Sequence, residues 1–202
     1  MLDVHKIVMM INWFARQTHG KSVDKLELLK LVYMADRFHL RRYGRLISGD
    51  NYYAMQLGPV PSITKMICDD RDSLTAEQRR VADEYLSVDG NNVHSKKASR
   101  ENHFSESELN ALQGARLKAM LVKDTGESLP DFTHHFPEWK DKQRYLTTPN
   151  ATRPIDPVDF FKELPTEDKK YEYCPASSRL LKSNREKFIE RRALENLIGA
   201  AQ

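Results

Sequence analysis

Cysteine is almost missing from this chain: 202 residues hold two, Cys68 and Cys174. They lie far apart and form no CxxC or Cys/His spacing, so neither a disulfide framework nor a zinc site is implied. We read both as reduced thiols, as a reducing compartment would keep them. Charge of one sign is also lacking. Against 32 basic residues stand 29 acidic ones, for a net +3, too even for the lopsided basic face of a nucleic-acid binder. No run reaches the roughly 18 apolar residues of a membrane span. Met1 to Phe14 is apolar but amphipathic, with no basic leader and no small-residue cleavage site, so it reads as a helix and not a signal peptide. A cytoplasmic protein is expected.

Recognised catalytic motifs are absent too. There is no GxxxxGK[ST], GxGxxG, GxSxG or HExxH. Gly20-Lys21-Ser22 lacks the earlier glycine of a phosphate loop and reads as a turn before a helix. His134 and His135 are adjacent, so on any regular element they point in different directions and make a poor ligand pair. No cofactor and no metal are expected. There is no internal repeat and no low-complexity tract.

What the chain does have is a globular balance, 40% hydrophobic and 30% charged, with enough apolar content to rule out disorder. At this length one domain can bury a core without staples. Val4, Ile7, Val8, Ile11 and Phe14 form one apolar stripe, so a helix is expected from an Asp3 cap to about His19. Ser22 then caps a second helix, Val23 to Tyr43, stopped by Gly44. Leu26, Leu28, Leu29, Leu31, Val32, Tyr33, Met34, Ala35, Phe38 and Leu40 make it apolar on most of its circumference. Such a helix belongs at the centre of a domain.

Arg45–Ile47 and Tyr52–Gln56 bracket Ser48-Gly49-Asp50 and suggest a hairpin. Leu57-Gly58-Pro59-Val60-Pro61 reads as a rigid turn. A short helix follows from Ser62 to Cys68. Capping boxes Thr75/Gln78 and Ser105/Glu108 open helices to about Leu86 and Leu121. Asp89-Gly90-Asn91-Asn92 marks a turn between short strands, and residues 95–104 read as a loop. Short helices are expected at Ser128–His135, Glu138–Tyr145 and Asp156–Leu164. Residues 1–165 thus make a compact, mainly α domain around a central buried helix, with a small antiparallel β element. Residues 166–202 read as a linker and a basic C-terminal helix, Arg179–Ile198.

Arg41, Arg42 and Arg45 cluster where the second helix ends, and Tyr52, Tyr53 and Gln56 follow on the expected hairpin. Cations are favoured at a helix C-terminus. Arg with Tyr is also the composition of interaction hot spots, which makes these six the candidate partner-binding residues. Asp36 and His39 sit three apart on one helix and can meet. With Tyr33 they are the candidates for an acid/base pocket; the simpler reading is a pair that tethers the helix to a neighbour.

The run Lys25 to Asp36, then Phe38-His39-Leu40, Tyr43-Gly44 and Leu57 to Pro61, resembles the Panacea domain family of SocA-like antitoxins. Leu129 to Trp139 is a second, weaker likeness. The resemblance covers about residues 1–165. It implies a helical domain that neutralises an adjacently encoded toxin by direct contact, in a bacterial, phage or prophage setting. A protease adaptor that delivers the toxin for degradation is the alternative, with the C-terminal helix or its Gly199–Gln202 end touching the protease. The chain opens directly on the first helix, so no preceding DNA-binding helix-turn-helix is expected. The family brings no catalytic residues. Its motif positions Lys30, Tyr33, Asp36, His39, Tyr43, Gly58, Pro59, His134 and Trp139 read as residues that make the fold.

Overall fold

The structure, a computed structural model, describes residues 2–98, 103–173 and 175–200. Cys174, part of the 95–104 loop and the last two residues of the Gly199–Gln202 end lie outside them. The fold is mainly α. Helix α1 (Val4–Arg16) is capped by the Asp3 carboxylate, which accepts from Lys6 N at 2.9 Å. Its stripe of Ile7, Val8, Ile11 and Phe14 is buried. Strand β1 (Ser22–Asp24) follows, then helix α2 (Lys25–Tyr43). Asp24, and not Ser22, caps α2, because Ser22 and Val23 pair with a strand about 70 residues onward. Gly44 ends the helix in the left-handed region at φ 72°, and its N–H donates to Leu40 O. Thirteen of the nineteen residues of α2 are buried, including Lys30, Asp36, Arg37, His39 and Arg41.

Strands β2 (Tyr52–Met55) and β3 (Gly58–Pro61) form a tight antiparallel hairpin across Gln56-Leu57. This corrects the expected hairpin: Arg45–Ile47 is not a strand, and the Gly-Pro segment is a strand and not only a turn. The cause is the fixed loop between α2 and β2. Ile47 N, Ser48 N, Ser48 Oγ and Tyr52 OH all donate to the Asp36 carboxylate. The Asp50 carboxylate accepts from Ile63 N and Thr64 N, each at 2.9 Å, and so caps helix α3 (Ser62–Asp69) from a distance. The Ile47 and Ser48 N–H groups, taken up by Asp36, are thus not available to a strand ladder.

Helix α4 (Ala76–Tyr85) carries its Thr75/Gln78 capping box. Strands β4 (Leu86–Asp89) and β5 (Asn92–Ser95) make the second hairpin, and β1 adds to it in the order β1-β5-β4. Helix α5 (Glu106–Asp124) packs along α2, and Glu108 accepts from Ser105 N at 2.8 Å. Helices α6 (Leu129–His134) and α7 (Pro137–Lys140) are short. Strand β6 (Arg153–Ile155) completes the sheet β3-β2-β6. Three stretches expected as helix or linker are 3₁₀ turns: Gln143–Tyr145, Pro157–Phe161 and Thr166–Tyr171. Helix α8 (Ser178–Ala200) lies against α2 and buries Leu181, Asn184 and Phe188.

Candidate functional site

Most motif residues are spent inside. Lys30 Nζ is buried and donates to Pro59 O at 2.9 Å, and burial lowers its pKa to about 7. Gly58 stands at φ +101° beside it. A Cβ there would come within 2.6 Å of Thr133 Oγ1 and 2.9 Å of Lys30 Nζ, so only glycine fits. Tyr33 OH and Arg37 Nε both donate to Glu138 Oε1, the latter at 2.7 Å. The Arg37 guanidinium also lies 4.1 Å over the Phe136 ring. Burial and the neighbouring Glu138 push the Tyr33 hydroxyl pKa well up. Trp139 Nε1 donates to Met55 O at 2.8 Å, and His134 stacks on the indole at 3.6 Å. Together these bonds tie α6 and α7 to the β2–β3 hairpin.

Asp36 and His39 do not meet. Burial raises the Asp36 pKa, and its carboxylate serves the loop before β2. His39 Nδ1 lies 2.8 Å from Arg45 O and Nε2 3.1 Å from Ser107 Oγ, and burial lowers its pKa to about 4. Tyr33 faces Glu138 instead of either. The expected acid/base set is therefore not assembled, because each member bonds a different element. Tyr43, at the helix end, is partly exposed and lies 4.8 Å from the His39 ring.

The six expected docking residues divide. Arg41 and Tyr52 are buried, at 1% and 2% exposure, and present nothing to a partner in this conformation. Arg41 donates to Phe160 O at 2.7 Å, Lys162 O at 2.8 Å and Glu172 Oε2 at 3.0 Å. Tyr52 bonds Asp36. Arg42 is exposed, whereas Arg45 is half-buried and paired with Glu108 at 3.3 Å. Arg45 borders a cleft under α8 with Phe188 and Arg192. Tyr53 borders a different one, whose lining includes none of Arg41, Arg42 and Arg45.

That second cleft, of about 310 Å³, lies on the outer face of β2 and β3 and is lined by Tyr53, Met55, Val60, Ser62, Lys65 and Thr152. Alternation along β2 explains it. Tyr52 and Ala54 face the core, while Tyr53 and Met55 face outward. Gln56 and Leu57 are exposed at the hairpin turn, Leu57 at 56%. Met55 lies within the Tyr52–Gln56 hairpin to which the sequence points, whereas Val60 and Thr152, which also line this cleft, are not singled out by it.

The edges of this sheet are closed. Residues flanking a two-residue turn form a hydrogen-bonded pair, so Met55/Gly58 and Tyr53/Val60 are bonded pairs. The backbone nitrogens of Pro59 and Pro61 then point to the free edge of β3, although both residues are buried. By the same alternation the nitrogen of Pro154, opposite Tyr53, points to the free edge of β6. All three prolines stand where an added strand would need an N–H.

Among the described residues no group of three or more His, Cys, Asp or Glu side chains could hold a metal. No described helix is long and apolar enough to cross a membrane. Residues 28–140, from α2 through α7, match the family described as antitoxin SocA-like, Panacea domain, over more than half of the chain. The chain belongs to that family. No curated protein and no solved structure matches it.

Proposed function

We propose that this chain is a cytoplasmic antitoxin that neutralises a cognate protein toxin by direct contact, and that the outer face of the β3-β2-β6 sheet makes the contact. Membership of the SocA-like Panacea family carries the antitoxin reading. The location rests on subtraction. Lys30, Tyr33, Asp36 and His39 are occupied within the fold, whereas Tyr53 remains outside, lining an apolar cleft, and Leu57 stands exposed at the hairpin turn. An exposed tyrosine over such a cleft is the usual make-up of an interface anchor.

The test is co-expression with the product of the adjacent gene. A stable complex and restored growth are expected. Tyr53→Ala should weaken the complex by about 2 kcal/mol or more by calorimetry. A wild-type chain that neither binds nor rescues would remove the antitoxin reading. Unchanged affinity of Tyr53→Ala would move the contact to another face.

A further inference from the structure

We propose that residues 165–173 form a displaceable strap, and that the site they cover on α2 takes in their place a partner segment bearing a carboxylate followed by an aromatic side chain. The site shares no residue with the Tyr53 cleft and stands without the antitoxin reading.

The site consists of Arg37 and Arg41, one turn apart on α2 and both buried, with the Phe136 ring under the Arg37 guanidinium. Glu172 and Tyr173 of the strap occupy it. Glu172 Oε2 accepts from Arg41 Nη2 at 3.0 Å, and Oε1 lies 3.7 Å from Arg37 Nη1. Tyr173 OH donates to Met34 O at 2.7 Å, and its ring lies 6.1 Å from Phe132 and 5.8 Å from Phe136, centroid to centroid. The fit is incomplete. Arg37 Nη1 and Nη2 are buried with no hydrogen-bond partner among the described residues, a loss that a better-placed carboxylate would recover. A cavity of about 220 Å³, bordered by Arg41, Lys169, Glu172 and Leu181, leaves space beside Arg41 unfilled. The strap is held only by side chains. Among the described residues its backbone–backbone hydrogen bonds stay inside it, Asp168 N to Pro165 O at 2.9 Å and Glu172 N to Lys169 O at 3.1 Å. Apart from Glu172 and Tyr173, its polar ties gather at His135 and Lys140. Asp168 accepts from Lys140 Nζ at 2.8 Å and lies 3.0 Å from His135 Nδ1, and Tyr171 stacks on His135 at 3.5 Å. A segment tied in this way opens without breaking a helix or a ladder, below the free energy of global unfolding. Both arginines lie within the residues 28–140 that match the family, whereas the strap lies beyond them.

The probe is a synthetic peptide of residues 165–173, titrated against the full chain. In the wild type the tethered strap competes with it at high effective concentration. Glu172→Gln with Tyr173→Ala empties the site, so this variant should bind the peptide about tenfold or more tightly than wild type. A peptide carrying the same two substitutions should bind that variant about tenfold or more weakly. Asp168→Asn with Tyr171→Ala loosens the far end of the strap and leaves the site intact. It should speed tryptic cleavage after Lys169 and Lys170 about tenfold, while the remainder of the chain resists. Equal peptide affinity in wild type and the emptied variant, no binding to either, or equal binding of the two peptides overturns the proposal. Cleavage of the loosened variant at the wild-type rate overturns it too, as does loss of its whole fold, since the strap would then not be separable. If the emptied variant does not fold, the titration passes to the loosened one, which should bind the peptide more tightly than wild type; equal affinity there overturns the proposal.

Discussion

Gly58, Lys30 and Thr133 meet at one point, and each limits the others. Gly58→Ala would bring a methyl group against two buried polar atoms at a backbone angle that L-residues avoid. A loss of about 2–4 kcal/mol in urea unfolding is expected. Lys30 carries a pH signature. Its folded pKa of about 7 lies below the ordinary 10.5. Its contribution is therefore full above pH 10.5, is lost as pH falls through that window, and changes no further below about 7. The whole window is worth about 5 kcal/mol. Wild type should gain about 3 kcal/mol on Lys30→Met between pH 7 and pH 9.5, read as the difference of two unfolding free energies. Parallel pH profiles would mean that the lysine is charged where it lies. Helix position alone does not separate this lysine from a solvated one, since a Lys on a helix is exposed by default; only the family motif marks it as a residue that makes the fold. The same default misplaces Arg41, whose acceptors lie 119 to 131 residues onward, whereas Tyr52 is taken up by Asp36, 16 residues back.

Elements with their own punctuation were legible in the sequence. The Asp3 cap, the Gly44 stop and the boxes at Thr75 and Ser105 all open or close helices where local chemistry says they should. Elements that depend on distant pairing were not. Strand β1 exists only because β5 lies beside it, and the loop at Ser48 avoids a hairpin only because Asp36 binds it. The outer-face cleft needed the true β2–β3 register, which the misassigned hairpin hid. Helix α8 lends itself to a direct test. Removing residues 178–202 uncovers the sites of Leu181 and Phe188, each nearly buried, and should cost the rest of the chain about 3–5 kcal/mol. An unchanged denaturation midpoint would make α8 an appendage.

Across the whole molecule, the last stretch completes the first half. Arg41 takes its acceptors from Phe160, Lys162 and Glu172, and Asn184 Nδ2 donates to Arg41 O at 3.0 Å, 143 residues away in sequence. Gly44 lies against the same Asn184, where a Cβ would sit 3.3 Å from its carbonyl oxygen. A ribosome adding about 5–20 residues per second needs roughly 7–30 s to travel from Arg41 to Asn184. Until Phe160, Lys162 and Glu172 have been added, Arg41 has none of the acceptors that its side chain bonds in the finished fold. The finished fold around α2 thus arrives only after Asn184 has been added, so its assembly trails the synthesis of α2 by that interval.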